Sequence, residues 1–312
     1  MILTVTLNTA LDLTYRVPTL RPHSSHRVTE VIERPGGKGL NVARVLAALG
    51  RPVTVTGFVG GGTGRALRAG LAQRDPDGLV TDALVPVAGA TRRTVVVVDA
   101  VTGNTTRLGE PGPLVSAAEW NAFLDRYDAL VPTASAVALC GSLPPGVPVG
   151  AYARLVRTAK AASVPVLLDT GGEPLRRGVA ARPDLVKPNA DELAELTGSH
   201  DPAQATRETR RRGARAVIAS LGPEGLLAVT PEGRWRAVPP GLVKGNPTGA
   251  GDSAVAGLLD ALVADEPWPV RLTRAVALSA ATVRAPAAGE FDARAYEEYL
   301  GRVRVTADPL PS

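Results

Sequence analysis

The chain has 312 residues, of which 45% are hydrophobic and 21% are charged, so it can bury the core of one large α/β domain or of two smaller ones. Its pI of about 9.7 would suit a nucleic-acid partner, but the net charge is only +5, and aromatic residues make up only 4% and are not interleaved with basic ones. This composition argues against a base-stacking surface. The densest basic run, Arg207–Arg215, has helical spacing and contains Glu208, which favours a solvated helix face. Nucleic-acid binding would require an affinity that falls steeply with salt.

Cys140 is the only cysteine and lies in an apolar run, which excludes a disulfide framework and indicates a buried thiol. The three histidines lack the spacing of metal ligands, so no transition metal is expected. No apolar stretch approaches the roughly 18 residues of a membrane span. The start of the chain, MILTVTLN, lacks the basic segment of a signal peptide. We therefore expect a soluble cytoplasmic protein without a membrane partner.

Short β-like runs alternate with helical runs along the chain. The first strands are predicted at Ile2–Leu7 and Val53–Phe58, and the first helices at Lys38–Leu49 and Gly64–Gln73. The glycine run Gly60–Gly64 is predicted to be a turn, since its spacing does not match a dinucleotide-binding loop. Ser116 and Glu119 predict a capping box at a helix start. Later strands are predicted at Val137–Cys140, Val164–Asp169, Leu185–Lys187 and Ala216–Ser220. This βαβ rhythm indicates a doubly wound, mostly parallel sheet.

Two segments break this rhythm. Leu13–Arg34 and Thr91–Gly109 contain extended runs with turn residues between them and no helical pattern, so they could form a small antiparallel sheet at one edge. Such a sheet could be a lid that keeps water from a phosphoryl-transfer site. It could also be an ordinary edge hairpin, which the sequence alone slightly favours.

The stretch Asn246–Leu262 carries the most informative motif. A Gly-Ala-Gly turn precedes Asp252 and an apolar run with helical spacing, so the turn opens a helix. Free amides at a helix start attract anions, whereas Asp252 would repel them. The combination suits a hydroxyl that loses its proton while it attacks a phosphoryl group. An aspartate that merely stabilises its own helix is an equally weighted alternative on this stretch alone.

Other polar residues follow the predicted strands. Asp12 could accept hydrogen bonds from a polyol. Gly36–Asn41 combines glycines that allow close approach of a ligand with Lys38, which could meet an anion at the helix start. Asn189 and Glu192 lie one helical turn apart and could both face a hydrated metal on a nucleotide. Each of these could be a simple turn or cap. Together, however, they all follow strands of a parallel sheet, and the carboxyl ends of such strands form one edge where ligands bind.

GGKG with Asn41, KPN with Glu192, and GAGD, in this order, resemble the ribokinase-like carbohydrate kinases of the PfkB family. TLNTALD, EPGP, GSLPPG and SLGPEG resemble the branch of 1-phosphofructokinase and tagatose-6-phosphate kinase, which phosphorylates sugars that already carry a phosphate. The resemblance implies one ribokinase-like domain over residues 1–312. That domain would be a three-layer α/β/α sandwich with a mostly parallel central sheet and a small β lid from about 13–34 and 91–109. It also implies ATP and Mg²⁺, and a lid that often forms dimers.

The resemblance further implies a role for each matching residue. Asp252 would be the general base, beside an anion hole from Gly249, Ala250 and Gly251. The sugar hydroxyls would be held by Asp12, Gly37 and Asn41, and the existing phosphate by Lys38, Arg27 and Arg92. The nucleotide phosphates and Mg²⁺, the latter mostly through water, would be addressed by Lys187, Asn189 and Glu192. The nucleotide pocket would be lined by Ser220 and Gly222.

The sequence therefore predicts an ATP-dependent kinase for a phosphorylated ketohexose, namely fructose 1-phosphate, fructose 6-phosphate or tagatose 6-phosphate. Thr94 stands where the branch usually has Asn, and Gly109 where a larger residue is common. One alternative is a kinase for an unphosphorylated sugar or nucleoside, which would leave Arg27 and Arg92 without a role. Another is a non-catalytic sugar-phosphate sensor on the same fold, which would have no use for Asp252.

Overall fold

The computed structural model of the chain describes residues 1–308. Its strands are, in chain order, β1 (Ile2–Thr6), β2 (Ala10–Val17), β3 (Glu30–Gly36), β4 (Val53–Val59), β5 (Val80–Asp82), β6 (Val85–Pro86), β7 (Arg92–Asp99), β8 (Thr105–Gly109), β9 (Ala136–Cys140), β10 (Val166–Asp169), β11 (Leu185–Val186), β12 (Ala216–Ser220), β13 (Leu226–Val229), β14 (Arg234–Val238) and β15 (Arg304–Asp308). Its α-helices are α1 (Lys38–Ala48), α2 (Gly61–Gln73), α3 (Ala117–Leu130), α4 (Ala151–Ala161), α5 (Gly172–Ala180), α6 (Ala190–Thr197), α7 (Pro202–Arg211), α8 (Ala250–Val263), α9 (Trp268–Val283) and α10 (Ala293–Leu300). The predicted alternation of strands and helices is confirmed.

An 11-stranded sheet forms the centre of the molecule. Its order is β15-β14-β13-β12-β11-β10-β9-β1-β4-β5, with β6 paired to β4. All neighbours from β12 to β5 are parallel, and β13, β14 and β15 continue the sheet in antiparallel fashion. The prediction of a mostly parallel sheet is therefore confirmed. Because β4 and β9 lie on opposite sides of β1, the strand order reverses there, and such a switch point forms a crevice for ligands.

Helices cover both faces of this sheet, and the alternation of side chains along each strand decides which face a residue joins. Ile2 packs in the core formed with α1, α2, α8, α9 and α10, whereas Leu3 packs in the core formed with α3 to α7. The residues from Asp252 to Ala261 on α8 are all buried, so α8 is a central helix rather than an amphipathic surface one. The molecule has the expected three-layer α/β/α architecture.

A separate four-stranded sheet, in the order β3-β2-β7-β8, is built from the two predicted extended segments. We refer to it as the lid sheet. The expectation of a purely antiparallel sheet was wrong, because β2 and β7 pair in parallel between two antiparallel hairpins. The reason is that β2 follows β1 and β7 follows β6. β1 and β6 run in the same direction, since both pair in parallel with β4. The strands that follow them, β2 and β7, therefore enter the lid sheet in the same direction.

Two local signals at helix starts had different outcomes. The capping box at α3 is confirmed, since the Ser116 amide donates to Glu119 Oε2 at 2.8 Å and the Glu119 amide donates to Ser116 Oγ at 3.3 Å. The turn predicted at Gly60–Gly64 was wrong, because Gly61 begins α2 and the Gly64 amide donates to the Gly60 carbonyl at 3.0 Å. Glycine did not break the helix, since its cost within a helix is only about 1 kcal/mol.

The basic run at the end of α7 has the ion pairs expected of a solvated helix face. Glu208 pairs with Arg211 at 3.3 Å and with Arg212 at 3.1 Å. Among residues 1–308, no helix has both the length and the apolar character needed to cross a membrane.

Candidate active site

The polar loops at the strand ends enclose a cavity of about 600 Å³ between the large sheet and the lid sheet. We call it the central cavity. Most of the residues singled out in the sequence line it, namely Asp12, Gly37, Lys38, Asn41, Arg92, Lys187, Asn189, Glu192, Ser220, Gly249, Gly251 and Asp252. The fold thus brings together side chains from both ends of the chain.

Asp252 lies in the first turn of α8 and is only 7% exposed. Asn41 Nδ2 donates to Asp252 Oδ2 at 2.8 Å. Burial, and then the negative charge of Asp169, raise the pKa of Asp252 from 3.8 to about 6, although Lys38, Asn41 and Lys187 act in the opposite direction. A carboxylate with a pKa near neutrality is well suited to accept a proton in a reaction.

The turn before Asp252 requires glycine. Gly249 has a left-handed conformation with φ of 87°, and a Cβ at this position would lie 2.7 Å from Ala288. The Ala250 amide donates to the Pro247 carbonyl at 3.1 Å, and the Ser253 amide donates to the Gly249 carbonyl at 2.9 Å. The amides of Gly251 and Asp252 follow that of Ala250 and precede that of Ser253, so they lie at the positive end of the helix dipole.

The lid sheet contributes unpaired oxygen atoms to the central cavity. Asp12 on β2 and Thr94 on β7 are partners in the strand register. Within residues 1–308, no hydrogen bond of good geometry reaches the buried atoms Asp12 Oδ1 and Thr94 Oγ1, although the Thr94 hydroxyl lies close enough to lower the pKa of Asp12. Burial raises the pKa of Asp12. Because buried polar atoms in native proteins are nearly always hydrogen-bonded, these two oxygens mark a place where a ligand with hydroxyl groups would fit.

Arg92 is held in place at the base of the lid sheet. Its Nε donates to the Asn8 carbonyl at 3.3 Å and its Nη1 donates to the Glu110 carbonyl at 3.2 Å. The Asn8 side chain is itself fixed, since its Nδ2 donates to the Pro111 carbonyl at 3.0 Å and to Ser142 Oγ at 3.1 Å. These contacts are to neutral carbonyls, so the guanidinium keeps its charge available for an anion.

Two residues of the central cavity were not identified from the sequence. Arg107 on β8 lines the cavity together with Arg92. Asp169, the last residue of β10, pairs with Lys38 at 3.2 Å and with Lys187 at 3.5 Å. The only local signal for either residue is the position of a charged side chain in a strand, which does not reveal its partners. Arg107 alternates with Leu108 on β8, and Asp169 ends an apolar strand where the sheet binds ligands.

Asn189 and Glu192 form a capping box at the start of α6. The Glu192 amide donates to Asn189 Oδ1 at 2.8 Å, and the Asn189 amide donates to Glu192 Oε2 at 2.9 Å. The cap engages one carboxylate oxygen of Glu192 and leaves Oε1 for another partner. Ser220 lies beside this cap, since it forms an isolated parallel bridge with Asn189.

Three of the residues singled out in the sequence do not line the central cavity. Ala250 lies between the two lining glycines at the start of α8, with its amide bonded to Pro247. Arg27 is exposed on the segment between β2 and β3, and Gly222 is exposed in the short 3₁₀ turn that follows β12. The structure therefore does not bring Arg27 and Gly222 together with the other candidates.

A carboxylate at the open end of a helix, beside the switch point of a parallel sheet, suits a phosphotransferase that acts on a hydroxyl. The sequence matches the pfkB family carbohydrate kinases over residues 4–294, and the chain belongs to this family.

Solved structures agree with this assignment. A possible 1-phosphofructokinase from Thermotoga maritima is 27% identical, with a TM-score of 0.89 and coverage of 99% of both chains. Phosphofructokinase-2 from Escherichia coli in complex with fructose-6-phosphate is 29% identical, with a TM-score of 0.86 and coverage of 96% of this chain and 98% of that one. Ribokinase from Arabidopsis thaliana, solved with ribose and ATP, is 22% identical over 96% of this chain and 98% of that one, with a TM-score of 0.73, and shares the fold.

Proposed function

We propose that this kinase transfers the γ-phosphoryl group of ATP to a hydroxyl of a phosphorylated ketohexose: fructose 1-phosphate, fructose 6-phosphate or tagatose 6-phosphate. The observation that carries the proposal is the presence of Asp252, Arg92 and Arg107 in one cavity. Asp252 suits the reacting hydroxyl, and the two arginines suit a second anionic group. An unphosphorylated sugar would leave those arginines with only Asp12 as an anionic neighbour in the cavity. Fructose 6-phosphate is the ligand of the similar Escherichia coli enzyme.

In the proposed reaction, Asp252 takes the proton of the acceptor hydroxyl as the oxygen attacks the γ-phosphorus. The bond between that phosphorus and the bridging oxygen of ATP breaks, and ADP leaves with the electron pair. The helix-start amides of Gly251 and Asp252, together with Lys187, stabilise the charge on the transferred group. Asp12, Gly37 and Asn41 hold the sugar, while Lys38, Arg92 and Arg107 hold its phosphate.

Magnesium would be held mainly through the nucleotide phosphates and water. Across residues 1–308, no group of three or more His, Cys, Asp and Glu side chains could hold a metal ion. The Glu192 oxygen left free by the capping box, and the Asn189 side chain beside it, fit the second coordination sphere of a hydrated Mg²⁺, which prefers oxygen and keeps several waters. When bound, the metal would offset the negative charge between the nucleotide and the acceptor.

A coupled spectrophotometric assay of ADP release tests the proposal with the three sugar phosphates, free fructose and free tagatose. We expect kcat/KM to be highest for one of the sugar phosphates, by at least about tenfold over its free sugar, because binding by arginine favours the phosphate. Equal use of fructose and fructose phosphates would favour the kinase for unphosphorylated sugars. Binding of a sugar phosphate without any ADP release would favour the non-catalytic sensor.

The lid sheet has a second proposed role, as a contact between two copies of the chain. It belongs to the same single domain and exposes large apolar side chains, with Val31 60% and Leu108 59% exposed. Exposed apolar residues on a small sheet favour pairing with a second surface. Light scattering of the wild type and of the Val31→Lys, Leu108→Lys double variant tests this role, with a dimer expected for the first and a monomer for the second. A monomeric wild type would exclude it.

A further inference from the structure

The carboxylate of Asp169 joins two lysines from opposite parts of the central cavity. Lys38 Nζ lies 3.2 Å from Asp169 Oδ1, and Lys187 Nζ lies 3.5 Å from the same oxygen. The side chains of Asp169 and Lys187 are only 1% and 5% exposed, whereas that of Lys38 is 39% exposed. One buried carboxylate oxygen thus fixes the distance between two ammonium groups.

The strand pattern explains why these three residues meet. Leu167 and Leu185 both pack in the core beneath α1 and α8, and side chains two residues apart on a strand share a face. Asp169 and Lys187 each lie two residues further along, so both project towards the helix starts that carry Lys38 and Asp252. Lys187 follows the last residue of β11, and its amide still donates to the Leu168 carbonyl of β10 at 3.0 Å, which fixes the backbone of Lys187 to the sheet.

An ionised Asp169 offsets one of the two lysine charges in this cluster. Burial alone would raise the pKa of Asp169, but Lys187 and Lys38 together hold it below its ordinary value. The pKa of Lys38 is raised, since Asp169 and Asp252 outweigh the effect of its burial. Lys38 therefore carries its positive charge at neutral pH and is open to the cavity, whereas Lys187 is enclosed.

We propose that Asp169 is a positioning residue that holds the Lys38 ammonium group towards the acceptor's phosphate and the Lys187 ammonium group towards the phosphoryl group in transit. The inference rests on the proposed kinase reaction, in which Lys38 faces the acceptor and Lys187 faces the nucleotide. Neither lysine needs to move when the phosphoryl group passes from one side to the other, because both are already fixed to the same oxygen. Such fixed charges stabilise a transition state without reorganisation.

This role predicts opposite effects on binding and on turnover. Asp169 is itself negative and repels phosphates, so its removal does not weaken the binding of anionic ligands. Its removal does free the two ammonium groups, and a misplacement of about 1 Å in a transfer site lowers the rate by about 10²-fold. A loss of kcat without a rise in KM is the pattern expected when an interaction acts only in the transition state.

The test compares Asp169→Asn with the wild type, using the wild type's best sugar phosphate and ATP. We expect kcat to fall about 10²-fold or more, while the KM for each substrate, and the Kd of ADP by calorimetry, stay equal or decrease. Asp184→Asn is the matched control, because the Asp184 carboxylate accepts a bond from the Val166 amide at the opposite end of β10, at 3.0 Å. We expect its kinetics to be unchanged.

A second variant keeps the charges balanced in case Asp169→Asn does not fold. Lys38→Met combined with Asp169→Asn removes one positive and one negative charge together. If Asp169 acts through the lysines and both single variants fold, this double variant will lose at least about tenfold less activity than the product of the two single losses. If Asp169→Asn does not fold, the comparison is with Lys38→Met alone, and the kcat of the double variant should stay within about tenfold of that of Lys38→Met. Additive losses, a kcat within threefold of the wild type in folded Asp169→Asn, or a rise in KM alone would overturn the inference. A wild type that releases no ADP with any sugar would instead reject the proposed function.

Discussion

Asn41 donates a hydrogen bond to Asp252 at 2.8 Å and thereby joins the first turn of α1 to the first turn of α8, across 211 residues of sequence. Both side chains are 7% exposed. A hydrogen bond to the charged form of a buried carboxylate lowers its pKa. Asn41 therefore acts with Lys38, whose effect is larger, and with Lys187 against the burial and the Asp169 charge that raise the pKa of Asp252.

The first prediction concerns the pH dependence of the wild type. Asp252 must be deprotonated to accept a proton, and its pKa is about 6. We therefore expect kcat to be level above pH 7 and to fall about tenfold for each pH unit well below 6. Steady-state rates between pH 4.5 and 9, at saturating substrates, measure this profile. A kcat that is level down to pH 4.5 would contradict the role of Asp252.

The second prediction concerns Asn41→Leu, which has a similar volume and cannot donate a hydrogen bond. Since that bond favours the charged carboxylate, its loss will raise the pKa of Asp252 further. A hydrogen bond to a charged group contributes about 1.5–3 kcal/mol, which corresponds to a shift of about one to two pH units. The acid limb of the kcat profile should move to higher pH by this amount. An unmoved limb would show that Asn41 serves only to hold the sugar.

The third prediction is that Asp252→Asn lowers the activity, retains ligand binding and raises the stability. We expect turnover to fall by ~10²–10⁴, as is typical for the loss of a general base, while the sugar phosphate and ATP still bind. Calorimetric titration checks the binding, and the coupled assay checks the rate. Turnover close to that of the wild type would exclude Asp252 as the base.

The same variant should be more stable than the wild type at pH 7.5. Because the folded-state pKa of Asp252 is raised from 3.8 to about 6, the folded protein binds the extra proton between these values. The contribution of the Asp252 carboxyl group to the free energy of unfolding therefore falls as pH rises from 3.8 to about 6, by on the order of 1–3 kcal/mol. We expect the Tm of Asp252→Asn to exceed that of the wild type by about 2–6 °C at pH 7.5 and by much less at pH 4. An equal difference at both pH values would contradict this origin.

The sequence alone predicts the sheet and most of the residues that line the central cavity, for one physical reason. The carboxyl ends of parallel strands meet at one edge, so polar residues after several strands must converge there. Asp12, Lys38, Asn189 and Asp252 could thus be grouped from the amino-acid pattern alone, because each lies in a short motif next to a strand or helix start.

The remaining features depend on contacts that no local pattern encodes. Asp169 is a single acidic residue at the end of an apolar strand, and its meaning comes from two lysines distant in sequence. Arg107 lies in a hairpin whose position depends on the parallel pairing of β2 and β7. The capping box of Asn189 and Glu192 is local, but the same spacing also suits two metal-facing residues, so the sequence alone could not decide between them.

The fourth prediction concerns the two arginines proposed to hold the acceptor's phosphate. For Arg92→Gln we expect the KM of the sugar phosphate to rise about 10–100-fold, since a bond to a charged group contributes about 1.5–3 kcal/mol. For Arg107→Gln, whose side chain is exposed, we expect a smaller rise of about 3–10-fold. The KM of ATP should change little. Arg93→Gln is the control, because Arg93 is exposed and alternates to the other face of β7. Equal effects of Arg92→Gln on a free sugar and on its phosphate would contradict phosphate binding.

The fifth prediction concerns the turn that presents the helix-start amides. Gly249 has φ of 87°, and a Cβ there would lie 2.7 Å from both the Cα and the Cβ of Ala288. Gly249→Ala must therefore shift the turn or the Ala288 loop, and we expect activity to fall by about 10²-fold or more. Gly50→Ala is the matched control, since Gly50 has φ of 77° but no neighbouring atom within 4 Å of its Cβ position. Both variants bear the backbone strain of a left-handed alanine, about 1–2 kcal/mol, so both should lose some thermal stability. Only Gly249→Ala should lose turnover, and equal kinetics for the two variants would exclude the turn geometry as a requirement of phosphoryl transfer.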